Sequence, residues 1–247
     1  YAKVLKEDAP LAIEILADIL QNSTFDPGEL ERERTVVLQE IGQANDTPDD
    51  IIFDLFQERA FPDQPMGRPV LGRAEIIRRI ERDTVADYLK RNYAAPGMLL
   101  VAVGNLDHAQ IVSLARRSFA HLAAASAAHS EPARYVGGDL RETRELEQAH
   151  ILLGFPGFSF ADPDYYAASL VSTALGGGMS SRLFQEVREK RGLVYNIAAC
   201  AETYADTGVL GIYAGCAATD AGETARVAAE QVRALATAPD AAELARA

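Results

Sequence analysis

Glu33 and Glu40 stand seven residues apart in the run Glu31-Arg32-Glu33-Arg34-Thr35-Val36-Val37-Leu38-Gln39-Glu40-Ile41. Seven residues are nearly two helical turns, so in a helix the two carboxylates share a face with only about 20° of drift. Val37 lies between them on that face, and Val36 and Ile41 flank it. A carboxylate left unpaired among such neighbours is costly, which points to a partner. Two readings stand side by side: a charged helix edge with Glu–Arg pairs, the commoner arrangement, or Glu40 as a metal ligand with Glu33 as its supporting carboxylate. Other candidates are weaker. His150 reads as a structural strand residue, and His108, His121 and His129 as surface histidines. Gly176-Gly177-Gly178 lacks the Lys-Ser/Thr of a phosphate-binding loop and reads as a flexible turn. Cys200 and Cys216 form no C-x-x-C pair and read as reduced, partly buried thiols on neighbouring strands.

These residues need elements to position them. Pro10 sits where a first-turn proline is tolerated, and Leu11, Ile15, Ala17 and Leu20 follow at helical spacing. Asn22-Ser23-Thr24 ends that helix. Asp26 caps the next one, with Pro27 at its first position, and it runs over residues 27–44 to the turn cluster Asn45-Asp46-Thr47-Pro48. Thr47 or Asp49 caps a third helix whose apolar face is Ile51, Phe53, Leu55 and Phe56. Residues 61–69 carry three prolines and must be a loop. Asp83 caps a helix through Tyr88 and Arg91, residues 98–103 read as a buried strand, and residues 108–119 return to helix.

In the second half, residues 148–154 read as a strand, and Asp162-Pro163 opens a helix through Leu175. A helix restarts at Ser180 or Ser181 and runs to Lys190. Strands follow at 194–199 and 208–214, and an Ala-rich helical pattern begins at Thr219. Around 126–138 the periodicity fades into Ala, Ser, Pro and Gly, which places a linker between domains 1–125 and 139–247. Both halves mix helices and strands, so the fold class is α+β. A shift of 155 residues lays 11–20 over 166–175 and 29–40 over 184–195, a weak repeat with the same order of elements.

The chain has 247 residues, enough for two modest domains, with 48% hydrophobic and 24% charged residues. Its formal charge of −12 argues against nucleic-acid and anionic-lipid partners. The absence of Trp argues against a base-stacking platform. No window has the length and apolarity of a membrane span. The chain opens on Tyr1 in one helical pattern and closes in another, and so reads as the interior of a longer protein.

The run Glu-Arg-x-x-Val-Val-x-x-Glu with its following turn resembles the pitrilysin/insulinase zinc peptidases (family M16). The similarity is to the small bacterial, mitochondrial-processing-peptidase-like subgroup. It continues through the loop 61–72, Tyr93-x-x-x-x-Met98, and Gln148-Ala149-His150-Ile151-x-x-Gly154-Phe155-Pro156. Its most specific part is Gly176-Gly177-Gly178-Met179-Ser180-Ser181-Arg182-Leu183-Phe184 with Arg188-Glu189-Lys190-Arg191-Gly192-Leu193-Val194-Tyr195.

The resemblance implies two related, α/β-sandwich-like domains, both incomplete here, that hold a peptide or unfolded segment in a chamber between them. It implies a zinc endopeptidase in which Glu40 is the third Zn²⁺ ligand and Glu33 supports it. Arg188 and Tyr195 match the paired arginine and tyrosine contributed by the second domain, where they would stabilise charge developing on the scissile carbonyl. Taken alone, Arg188 reads as a helix-surface ion pair and Tyr195 as a strand-edge core aromatic. The family's H-x-x-E-H, which supplies two ligands and the general base, occurs nowhere in the 247 residues. In the family it lies upstream of the Glu40 motif. The alternative is a non-catalytic homologue: a partner subunit lending Arg188 and Tyr195 to another chain's site, or a structural core subunit. A homodimer or a heterodimer with a related subunit is expected, in the cytoplasm or periplasm of a bacterium.

Overall fold

The computed structural model describes residues 1–124 and 131–247. The helices are α1 (Ala9–Asn22), α2 (Pro27–Asp46), α3 (Pro48–Ala60), α4 (Ala74–Ile77), α5 (Arg82–Asn92) and α6 (His108–Ser118). After them come β1 (Ala149–Pro156), α7 (Tyr165–Gly176), a π-helical turn over Phe184–Glu189, β2 (Val194–Thr203), β3 (Gly208–Cys216), α8 (Ala221–Thr237) and α9 (Ala241–Arg246). These residues form two compact units. Unit 1 holds Tyr1–Gln39 with the described part of Ala74–Ser130, and unit 2 holds Glu40–Arg73 with Glu131–Ala247. The fold is α+β.

The regular elements among unit 1's described residues are helices joined by irregular segments. Asp26 caps α2 as its sequence position implies, its Oδ1 accepting from the Gly28 and Glu29 amides at 2.8 and 3.1 Å. The buried face of α1 is Ile13 and Ala17, which pack toward α6 and its buried Ile111. Leu11 and Ile15 were expected on that face and are instead exposed. One helix with one neighbour buries only one stripe, and theirs is the opposite one. Gln21 joins the two helices: its Nε2 donates to the Ser118 carbonyl at 2.7 Å and its Oε1 accepts from the His121 amide at 3.2 Å.

Two further expectations fail in unit 1. Asp83 lies inside the first turn of α5, while Glu81 holds the cap position without a side-chain bond. Residues 98–103 form no strand, and Leu99 and Val103 are 87% and 91% exposed. A strand exists only through the partner that takes its backbone groups, and among the described residues all three strands lie in 149–216.

Unit 2 is built on an antiparallel sheet in the order β1-β3-β2. Alternation sends Ile151, Leu153, Ile197, Ala199, Ile212 and Ala214 to one face, where they pack with Leu175, Leu183, Val187, Val227 and Leu235 into the core. At Gly176 an added Cβ would stand 2.2 Å from the Ala199 amide nitrogen, so the glycine lets α7 lie directly on β2. α3 lies against the other face. Phe53 stacks on Tyr213 with ring centroids 5.7 Å apart, and the Phe56 ring takes the space that a side chain at Gly154 would fill.

Below α3, the fully buried Phe61 joins Ala60 and Val209 in a smaller core. Part of the expected linker borders it: the Val136 amide donates to the Ala60 carbonyl at 2.8 Å, and the Tyr135 hydroxyl to the Gly154 carbonyl at 2.9 Å. Its residues 126–130, with His129, lie outside the described residues. The 155-residue shift holds for α1 and α7 but breaks after Glu189, where the second copy turns into β2 while α2 continues to Asp46.

Candidate functional site

Opposed residues of an antiparallel pair share a face. His150 and Asn196 both lie opposite Gly215, and Leu152 and Ala198 opposite Tyr213, so all occupy the sheet face that α3 borders. α3 covers this face at the Gly154 end. At the Gly215 end the face is open and forms a groove of about 550 Å³. Its walls come from Pro48 and Asp49 at the start of α3, from Leu146 to Gln148, and from Phe184 and Arg188 on the π-helical turn.

Arg188 and Tyr195 meet in this groove, for reasons local to each. Around Arg188 the helix is widened: the Lys190 amide donates to the Gln185 carbonyl, five residues back, at 3.0 Å. Gly192, with φ 63°, then reverses the chain into β2. The register of β2 on β3 breaks between Val194 and Asn196, so Tyr195 is the extra residue of a β-bulge. Val194 faces the core, Asn196 faces the groove, and Tyr195 is re-aimed into the groove at 76% exposure. The Arg188 Cζ sits 4.6 Å from the Phe184 ring centroid and 5.9 Å from that of Tyr195. The ion pair expected of a helix-surface arginine is present but marginal, Nη1 lying 3.5 Å from the Glu189 Oε1. An exposed pair of that kind contributes about 0–1 kcal/mol. Tyr195 is not the core aromatic that its strand position alone suggests.

His150 was expected to be structural, and it lines the groove. Its Nδ1 lies 2.9 Å from the Tyr213 hydroxyl. Burial, and then the charge of Asp49, push the Tyr213 phenol up, so it keeps its proton at neutral pH. The signal was present in the sequence: period-two alternation puts Gln148 and His150 on one face and Ile151 and Leu153 on the other.

Glu33 and Glu40 are both exposed on α2, a helix with no buried residue. The apolar surroundings expected for them are absent, since Val36 is exposed and Val37 and Ile41 only half-buried. The held side chain of this motif is Arg34, 14% exposed. Its Nη2 donates to the Ile80 carbonyl at 2.8 Å, its Nη1 to the Ile77 carbonyl, and its Nε to Glu31 at 2.9 Å. Arg34 thus takes up the carbonyl of the last residue of α4 and one from the segment that follows it.

Among the described residues, no three His, Cys, Asp or Glu side chains converge to hold a metal ion. Structural and catalytic zinc both take at least three protein donors, so these residues do not by themselves fit a zinc site. Cys200 is exposed and Cys216 buried, both are free, and burial pushes both thiols up toward the protonated form. No described helix is long and apolar enough to cross a membrane.

Residues 1–74 match the family model for insulinase (peptidase family M16), and residues 79–247 that for the peptidase M16 inactive domain. A Rickettsia felis protein described as an uncharacterized zinc protease is 40% identical over 218 residues, covering 88% of this chain and 53% of its own length. A Streptomyces coelicolor protein with the same description is 38% identical over 225 residues, covering 87% of this chain and 49% of its own. The chain therefore spans about half the length of these curated relatives. In fold, it superposes on a crystal structure of a peptidase M16 inactive domain from Pseudomonas fluorescens with a TM-score of 0.84. The identity is 24%, over 94% of this chain and 57% of that one.

Proposed function

The chain belongs to peptidase family M16, and from that membership we propose that it is part of a zinc-dependent endopeptidase acting on peptides or unfolded polypeptide segments. The observation that carries this reading is the meeting of Arg188 and Tyr195 over one groove. A carbonyl under attack gathers negative charge on its oxygen. A phenol O–H and a guanidinium aimed at that oxygen stabilise it with little reorganisation. Stacking on Phe184 keeps the guanidinium over the groove, and the bulge keeps the Tyr195 hydroxyl clear of the core. In this reading Glu40 supplies one carboxylate of the metal site and Glu33 supports it. The other donors come from outside the described residues, and the active unit is a homodimer or a heterodimer with a related subunit.

The test is hydrolysis of unfolded casein by the zinc-loaded, full-length gene product. Tyr195→Phe should lower kcat by at least about tenfold while zinc content stays at the wild-type level. Wild-type turnover in that variant would reduce Tyr195 to a surface aromatic. A second reading is favoured by the match of residues 79–247 to an inactive domain. In it, the chain lends Arg188 and Tyr195 to the metal site of a related subunit. Hydrolysis only after mixing with that subunit would select it.

A further inference from the structure

We infer that the gap above Gly215, between His150 and Asn196, is a subsite for the uncharged amide backbone of an extended peptide. The inference rests on the peptidase reading and adds residues to it. Two strand spacings place His150 and Asn196 on either side of the central strand, with Cα atoms about 10 Å apart. Between them β3 offers no side chain. The floor is nonetheless polar: the Gln148 Oε1 and the Tyr213 hydroxyl lie 3.0 and 3.6 Å from the point where a Cβ of residue 215 would stand.

The lining matches an amide better than an ion. The Tyr213 phenol has one proton. In the tautomer whose Nδ1 accepts that hydroxyl proton, Nε2 carries the ring N–H, a directed donor. The carboxamides of Gln148 and Asn196 each offer a donor and an acceptor, as a peptide group does, and no described residue hydrogen-bonds to either. Charges of both signs line the groove, Asp49 and Glu147 against Arg188, so no single sign selects a carboxylate or an ammonium group. A peptide that docks here lies beside Arg188 and Tyr195, so the subsite decides which stretch of substrate is presented to them.

The probe is a fluorescein-labelled, uncharged dodecapeptide of alanine and glutamine, followed by fluorescence anisotropy with the full-length gene product. Gly215→Val fills the gap with a residue suited to a strand and should raise Kd at least about tenfold. Gly215→Ala should raise it less, because its Cβ meets only the movable end of Gln148. His150→Phe keeps a ring but loses the donor and should also weaken binding. His150→Gln restores an N–H and should recover most of the affinity, which a purely structural role would not produce.

Wild-type affinity in both Gly215→Val and His150→Phe, with thermal midpoints unchanged, would overturn the inference. So would an acidic or a basic dodecapeptide binding more than tenfold tighter than the uncharged one. If Gly215→Val does not fold, Gly215→Ala and the two His150 variants decide. Peptide that is bound with these variant effects but never cut, in the presence of zinc, overturns the peptidase reading and leaves the subsite standing.

Discussion

Arg188 and Tyr195 share a groove through two small departures from regular structure, one extra residue per turn in a helix and one extra residue in a strand. Neither departure is stabilising in itself. The stacking of Arg188 on Phe184 contributes about 0.5–1 kcal/mol at an exposed position, enough to bias a guanidinium but not to hold a fold. A clearer energetic signature belongs to Asp54 on α3. Burial, and then the charge of Asp50 one turn earlier, hold its carboxyl above the ordinary value of 3.8. The fold therefore favours protonated Asp54. That preference adds stability below the unfolded value and is lost as pH rises through the folded one. Asp54→Asn should thus melt above the wild type at pH 7, and the difference should fade as the pH drops below about 4. An equal or lower midpoint at pH 7 would show that the Asp54 charge does not oppose folding.

At the scale of elements, capping chemistry and periodicity locate α2 and α7, whereas Asp83 falls inside α5 and does not cap it. Asp26 and Pro27 announced α2, and Asp162-Pro163 announced α7 within a few residues. α2 ran two residues past its expected end because Asn45 and Asp46 stay helical until Pro48 opens α3. Residues 98–103 failed because a β-branched apolar run specifies a strand only when another strand lies beside it. No local pattern marks Arg34, because its partners, the Ile77 and Ile80 carbonyls, lie more than forty residues away. It makes a distinct prediction. Arg34→Met preserves the aliphatic stem but strands two carbonyls, which should destabilise unit 1 by about 1–3 kcal/mol in denaturant titration. A loss under about 0.5 kcal/mol would mean that water satisfies those carbonyls as well.

At the scale of the molecule, the candidate site lies in one unit: the groove, Arg188 and Tyr195 all belong to unit 2. Because no metal cluster forms among the described residues, residues 1–247 alone should retain far less than one equivalent of zinc after dialysis, read by atomic absorption. Retention of one equivalent would require a site that these residues do not show. By itself, the sequence determined the α+β class, most of the helices, the three strands of the second half in their order, and the family. Each of these rests on side chains within a few turns of one another or on motifs read in order. Tertiary structure alone decided that Tyr195 is the bulged residue, that the face carrying His150 forms a groove with Arg188, that Glu33 and Glu40 stand exposed, and that residues 98–103 remain unpaired. Those outcomes depend on which strand lies opposite which, and on which face a distant helix covers. A strand shifted by one residue exchanges its two faces, and no local pattern in this chain records the opposing register.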